Sequence, residues 1–455
     1  MASSTFYALS TISGKSGVAV IRINGPESLQ VLRDLGYNKK ITPRVATFHK
    51  LRSPVDQTIL DEALFLYFQG PNSFTGDDIV ELHIHGSRAV IKDVLYALSD
   101  IPYIRSAEPG EFSKQAFMNG KMDLTQAEAL AELIEAETTI QRQVALRQMS
   151  GEASSLYGEW RSKIIGILAN VEALIDFPGD EIPESTISFV EYQLSWVIKG
   201  IEKHISGNND LSNLSEGIKV VISGPPNAGK SSLINHLAKT EIAIVSDIAG
   251  TTRDAIKTKI DLAGFPILLT DTAGIREEST DIIEQKGISI AKREASMADV
   301  NIVLIDINID NTDFINQNTN LFGEKSIILL NKVDLLSESR SEKLKYYNDQ
   351  LPKCMDIICI SISDGYGVER FLNKLKDAIE NKYTPSDEPL LTKIRYKEAL
   401  TECLEHLKLV DPTSPMLDLV TEDLRIAARS IGKITGEVQL EEILDQIFSS
   451  FCIGK

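Results

Sequence analysis

The sequence predicts a multidomain chain in which α+β and α/β layers are joined to helical stretches. Three observations carry that prediction. Short apolar, β-branched runs crowd residues 1–119. Apolar residues at helical spacing dominate 120–215 and return after 381. Between those stretches, over 216–380, strand-like and helix-like segments alternate in the rhythm of a mostly parallel sheet. The 455 residues suit about three domains, and a 43% hydrophobic content supplies their cores. No apolar run is long enough to predict a membrane span. The opening MASSTFYALS has neither the basic start nor the apolar centre of a secretory signal. With 65 acidic and 47 basic side chains, the formal charge of -18 argues against a non-specific nucleic-acid coat, while leaving room for a local cationic surface. Four cysteines make no disulfide framework and point to a reducing, cytoplasmic setting.

In residues 1–119, VAVIRI at 18–23, EALFLYF at 62–68 and DIVELHIH at 78–85 read as strands. PNSFTG at 71–76 reads as a loop, and 87–100 has helical spacing. In 120–215, Asp123 and Gln126 form a capping-box pattern ahead of Leu124, Ala127, Leu130, Ala131 and Ile134. Further helices are predicted at 154–177, ending before Pro178, and at 186–205, followed by a polar linker at 207–217. In 216–380 the strand candidates are 218–223, 266–270, 301–306, 326–330 and 357–361. After 383–389 helical periodicity resumes over 381–455, so the α/β block is an insertion between two helical parts.

Gly224-Pro225-Pro226-Asn227-Ala228-Gly229-Lys230-Ser231 satisfies G-x-x-x-x-G-K-[ST] between a strand and a helix. Glycines let the backbone wrap phosphate, and the helix N-terminus adds free N–H donors. Gly224, Asn227, Ala228, Gly229, Lys230, Ser231 and Ser232 are therefore the candidate nucleotide cradle. Lys230 meets the β- and γ-phosphates, and Ser231 offers its hydroxyl to Mg²⁺. Asp271, Thr272, Ala273 and Gly274 follow a strand: Asp271 organises Mg²⁺, and the Gly274 N–H faces the γ-phosphate. Asn331-Lys332-Val333-Asp334 follows another strand and argues for guanine. The Asp334 carboxylate accepts from guanine N1–H and N2–H₂ and repels adenine N1. Asn331 ties loops together, and Lys332 lays its stem along the base. Thr251 and Thr252 sit in the intervening loop, where one can complete the Mg²⁺ shell. Hydrolysis needs an aligned water. Ras-like proteins use a glutamine where this chain has Ile275, so something else must orient water, and Glu284, just past a polar loop with Arg276, Glu277 and Glu278, is a candidate. Asn227 is a candidate ligand for a monovalent cation standing in for an arginine finger.

The whole set, GPPNAGKS at 224–231, IAGTTRD at 248–254, DTAGIRE at 271–277, NKVD at 331–334, EPGEFSKQAFMNGKMDLTQAEAL at 108–130 and the terminal Cys452-Ile453-Gly454-Lys455, resembles the MnmE/TrmE family of tRNA-modifying GTPases over nearly the full chain. The resemblance implies an N-terminal α+β folate-binding and dimerisation domain (1–119), a helical domain (120–215 and 381–455) and an inserted Ras-like P-loop GTPase domain (216–380). It implies GTP, Mg²⁺ and K⁺ as cofactors, with 5,10-methylene- or 5-formyl-tetrahydrofolate as the one-carbon source. It implies a homodimer that works with the FAD-dependent MnmG/GidA protein, in a heterotetrameric or larger complex, on C5 of the tRNA wobble uridine. Carried onto this chain, Asn227, Ile242, Val245 and Ile248 become K⁺ ligands, and Ser231, Thr252 and Asp271 become Mg²⁺ ligands. Glu284 orients water. Arg22, Glu81 and Lys121 become folate-pocket residues, and Cys452 lies near the modification chemistry. The usual Ser-Ala of the fifth guanine element is here Ser361-Ile362.

Each of these residues also has a plainer reading. Arg22, Lys121 and Glu81 are ordinary surface charges if the resemblance is set aside. Cys452 is a terminal spectator by the same standard. Cys354 and Cys359 fit buried small hydrophobes. The alternative functional reading is a regulatory GTPase in ribosome or RNA assembly without modification chemistry of its own.

Overall fold

The computed structural model describes residues 4–176, 184–207, 214, 217–239, 257–271, 297–323, 325–336, 340–351, 356–383, 390–438, 441–451 and 453–454. The chain forms two compact units. One comprises Met1–Ala131, Met149–Val197 and Thr401–Lys455; the other comprises Glu132–Gln148 and Ile198–Leu400.

In the first unit, β1 (Thr5–Leu9), β2 (Ser16–Asn24), β3 (Thr47–Arg52), β4 (Ile59–Phe68), β5 (Ile79–Gly86) and β6 (Ile104–Ser106) form one sheet in the order β3-β4-β5-β2-β1-β6. All neighbours are antiparallel except β1 and β6. Period-two alternation sends Ala19, Ile21 and Ile23 of β2 inward, while Arg22 faces the other side. Helices α1 (Ser28–Asp34) and α2 (Arg88–Ser99) cover the inner face with Val31, Leu32, Val94 and Leu98. The α2 helix starts where Ser87 Oγ accepts from Val90 N at 3.1 Å, a side-chain cap. Next comes α3 (Glu111–Met118). The capping box forms at the start of α4 (Leu124–Glu135): Gln126 N donates to Asp123 Oδ1 and Asp123 N to Gln126 Oε1, both at 3.0 Å.

Further along lie α5 (Thr139–Met149), α6 (Glu152–Asp176) and α7 (Glu184–Gly207). In the second unit, β7 (Ile218–Ser223), α8 (Lys230–Lys239), β8 (Lys257–Leu262), β9 (Phe265–Asp271), β10 (Val300–Asp306), α9 (Thr312–Gln317), β11 (Ser326–Asn331), α10 (Arg340–Gln350), β12 (Asp356–Cys359) and α11 (Val368–Tyr383) follow in order. Their sheet runs β12-β11-β10-β7-β9-β8 and is parallel except for the β8–β9 hairpin. The hairpin turns through Ala263 and Gly264, both at positive φ. The strands at 218–223 and 326–331 match the sequence expectation closely. The strand at 257–262 has no counterpart in it, because its lysines and aspartate interrupt the apolar pattern at the sheet edge.

A segment distant in sequence completes this unit's core. Val144 of α5 is buried among Ile218, Phe265 and Leu233. Ile140 N donates to Gly264 O at 3.1 Å, Glu137 pairs with Lys259 at 3.0 Å, and Gln141 Nε2 donates to Leu214 O at 3.0 Å. Gln148 donates to the Tyr396 hydroxyl at 3.0 Å and accepts from Thr392 at 2.7 Å.

The last helices are α12 (Ile394–Leu407), α13 (Leu417–Thr435) and α14 (Glu441–Ser449). In the first unit α13 packs along α6, with Arg425 paired to Glu172 at 2.8 Å. Leu444 and Phe448 of α14 bury against Leu124 and Ala127. The chain end returns to the N-terminal sheet: Ile453 bridges Pro109, and Ser10 Oγ donates to Gly454 O at 3.0 Å. Among the described residues, no helix is long and apolar enough to cross a membrane.

Candidate functional site

Because β7, β9, β10, β11 and β12 run parallel, their C-terminal ends share one edge of the sheet, where α/β proteins bind ligands. The loop after β7 turns at Gly224, whose φ is +148; a Cβ there would stand 2.1 Å from Leu304 O. Gly229 has φ +104, and its Cβ would meet Asn331 Nδ2 at 2.6 Å. Only glycine fits either place. Asn227 also takes positive φ, and Ala228 is buried. Lys230 opens α8, is 7% exposed, and donates through Nζ to Gly224 O at 2.9 Å and Pro225 O at 2.8 Å. Ser231 and Ser232 lie exposed in the first turn of α8, beside its free N–H groups. Asp271 ends β9 and is in register with Ile222, two residues before Gly224.

The loops after β11 and β12 close on this cradle. Asn331 Nδ2 donates to Ala228 O at 2.8 Å, and its Oδ1 accepts from Ile362 N at 3.4 Å. One side chain thus ties the phosphate loop to the Ser361-Ile362 segment. Ile362 keeps that backbone contact where the familiar element has alanine, and its side chain lies near Gly229. Lys332, at positive φ, pairs with Asp306 Oδ2 at 2.7 Å. Burial works to raise the Asp306 carboxyl, but the Lys332 ammonium and the Asn308 N–H outweigh it and hold it below the ordinary carboxylate range. Asp334 is exposed and accepts from Ser363 Oγ at 3.2 Å. Ser361 is buried, with its Oγ 2.9 Å from Ser363 Oγ. The structure therefore gathers Asn331, Lys332, Asp334 and Ser361 beside Ala228 and Gly229. It adds Asp306, Asn308 and Ser363, which the sequence reading missed. Asp306 had one signal, its place at the end of an apolar strand.

A second site lies in the N-terminal sheet. Arg22 and Glu81 are cross-strand partners on β2 and β5, and Arg22 Nε donates to Glu81 Oε1 at 2.8 Å. His83 Nε2 lies 3.4 Å from Glu81 Oε2. Lys121 Nζ donates to Pro71 O at 2.9 Å. These three predicted residues line one cavity of about 360 Å³, together with Arg44, Phe68, Phe74 and Ile79. The Arg44 guanidinium sits 5.4 Å from the Phe68 ring centroid. Nothing in the sequence singles out Arg44, and the two phenylalanines read only as the end of the 62–68 strand and part of the 71–76 loop.

Thr251, Thr252, Thr272, Ala273, Gly274, Glu284, Ile242, Val245, Ile248 and Cys452 lie outside the described residues. Cys403 is described. Burial, and then the Glu402 charge, push its thiol up to about 12, so it is no nucleophile.

Comparison with known proteins bears on both sites. The sequence matches the MnmE helical domain over residues 124–452 and the GTP-binding protein TrmE N-terminus over residues 5–121. The tRNA modification GTPase MnmE of Rickettsia akari is 42% identical over 99% of this chain and 100% of its own length. That of Rickettsia bellii is 43% identical with the same coverage. That of Wolbachia sp. subsp. Brugia malayi is 42% identical, covering 99% of each chain. Among solved structures, Aquifex aeolicus Era bound to GDP.AlF4- is 27% identical and covers 43% of this chain and 69% of its own, with a TM-score of 0.30, too partial an overlay to carry an argument. On full-length identity and both matched domains, the chain belongs to the MnmE family of tRNA modification GTPases.

Proposed function

We propose that the chain hydrolyses GTP at the 224–231 loop and couples that turnover to modification at C5 of the wobble uridine in tRNA. The observation that carries the proposal is the Asn331 tie, which joins a glycine-only phosphate cradle to a loop presenting Asp334. The cradle suits phosphate: its backbone curls through Gly224 and Gly229, with the buried Lys230 at its base. Asp334 supplies the acceptor-only carboxylate that selects guanine.

Within this reading Ser231, Thr252 and Asp271 hold Mg²⁺, and Asn227 with the backbone around Ile242, Val245 and Ile248 holds K⁺. Bound there, the cations offset negative charge that develops on the transferring phosphoryl group. The Gly274 N–H faces the γ-phosphate, Lys230 binds the β- and γ-oxygens, and Glu284 orients the attacking water. The N-terminal cavity holds a one-carbon tetrahydrofolate. Its lining supports this: Glu81 supplies acceptors, Lys121 and Arg44 supply positive charge, and Phe68, Phe74 and Ile79 supply apolar faces. That donor set fits a flat heteroaromatic ligand with an anionic tail. The chain works as a cytoplasmic homodimer with an FAD-dependent MnmG partner in a heterotetrameric or larger complex, with Cys452 near the modification chemistry. The four-part division at 1–119, 120–215, 216–380 and 381–455 belongs to the same proposal.

The other reading, a regulatory GTPase in ribosome or RNA assembly, leaves the 360 Å³ N-terminal cavity without a task. GTP turnover in K⁺ and in Na⁺, combined with wobble-nucleoside analysis of tRNA from cells carrying Lys230→Ala, tests the proposal. The substitution is expected to lower GTP turnover by about 100-fold or more and to erase the modified nucleoside. Unaltered turnover would remove the site assignment, and unaltered nucleosides would remove the coupling to tRNA.

A further inference from the structure

Helix α2 buries Ile91, Val94 and Leu98 in the N-terminal core, yet its other side borders a cavity of about 380 Å³ that neither proposed site uses. Arg88, Lys92 and Tyr96 follow one another at four-residue spacing along this side, about 6 Å apart along the axis. Ile91, Leu95, Ser99 and Ser13 complete the lining. Among the described residues, no carboxylate lines the cavity. Arg88 makes no ion pair or side-chain hydrogen bond with any described residue. Among the described residues, the contact recorded for the Lys92 ammonium is with the Tyr96 ring, 5.5 Å from its centroid. That ring belongs to a residue 60% exposed. The first turn of α2 contains no acidic residue to balance Arg88.

We infer that this groove binds a single-stranded segment of RNA, with Arg88 and Lys92 on phosphodiester oxygens and Tyr96 stacking against a base. The inference rests on the proposed tRNA substrate and adds where the chain grips it. A chain of net charge -18 repels a polyanion over most of its surface, so contact is confined to cationic places free of carboxylates. The exposed aromatic ring beside the two cations favours a nucleobase over an acidic peptide, since every base offers a face for stacking.

The test is fluorescence anisotropy of labelled, unmodified tRNA titrated with the full-length chain at two KCl concentrations. Arg88→Gln combined with Lys92→Gln is expected to weaken binding about tenfold at low salt, and to flatten the log–log salt slope by about 1.4 to 1.8, two phosphate contacts' worth. Tyr96→Leu is expected to weaken binding about 5- to 150-fold, while Tyr96→Phe keeps it. All these residues are solvent-facing, so GTP turnover and melting temperature should stay at the wild-type values. Superimposable tRNA curves for wild type and variants overturn the inference. So does a loss confined to inorganic phosphate or to a poly-glutamate peptide with tRNA binding intact. A wild-type chain that binds no tRNA at all overturns the functional reading itself, which separates the two failures.

Discussion

Asn331 makes two hydrogen bonds at the proposed nucleotide site, one to Ala228 O and one from Ile362 N. Asn331→Ala is expected to lower guanine-nucleotide affinity about 5- to 30-fold, the worth of one to two hydrogen bonds, as calorimetric titration would read. Gly229 lies against the same amide. A shared contact makes Gly229→Ala and Asn331→Ala non-additive in a double-mutant cycle. The role of Asn331 as a tie between loops was legible from its motif, because the order of phosphate loop and NKVD fixes which strand ends meet. The partners of Lys332 were not legible. Asp306 sits 26 residues upstream and becomes a neighbour only because β10 and β11 pair in register, Asp306 opposite Asn331. Arg44 escaped notice for a similar reason, since a lone arginine in the loop between α1 and β3 carries no periodic signal.

Among elements, the turn before β10 holds a junction of comparable weight. Asp299 accepts from Lys219 N at 3.0 Å and Lys382 Nζ at 2.8 Å, and also from the Tyr383 hydroxyl, so one carboxylate joins β7 to α11. Burial opposes its ionisation, but these donors prevail and keep it below the ordinary carboxylate range. A depressed folded value contributes stability above the unfolded value, and that contribution is lost as pH falls through the folded value. Asp299→Asn is therefore expected to cost about 2–3 kcal/mol at neutral pH and to flatten the acid side of the stability curve below the unfolded value. Urea denaturation across that window measures both. Local chemistry explains which elements could be read in advance. Helix α2 begins at a serine cap and α4 at a capping box, both written within four residues. Strands β7 and β11 are apolar runs buried on both faces, which single a strand out without any partner. Edge strands β3 and β8 carry lysines in their alternation and become strands only by pairing. Helix α5 supplies a further expectation. Val144→Ala should destabilise the GTPase-containing unit by about 2 kcal/mol, seen as faster amide exchange in β7 and β9, although residue 144 lies outside the 216–380 block.

For the whole molecule, two ligand chemistries are expected in one chain, and they should separate by mutation. Arg22→Ala is expected to abolish tetrahydrofolate binding in equilibrium dialysis while GTP turnover by the same protein persists. Lys230→Ala should give the reverse pattern. Loss of both from either change would count against two distinct sites. The sequence leads one to expect an α/β block inserted into a helical chain, but it gives no sign of a seam. Residues 132–148 pack with the inserted block through Ile140 and Val144, and nothing in their helical periodicity announces it. That arrangement has a consequence for synthesis on the ribosome. Val144 must wait for Ile218, Leu233 and Phe265, about 75 to 120 residues later, which is about 4 to 24 seconds of elongation. For that interval a nascent chain carries α5 with Val144 and Ala145 uncovered. A chaperone meeting the growing polypeptide would find its natural foothold there, ahead of any nucleotide.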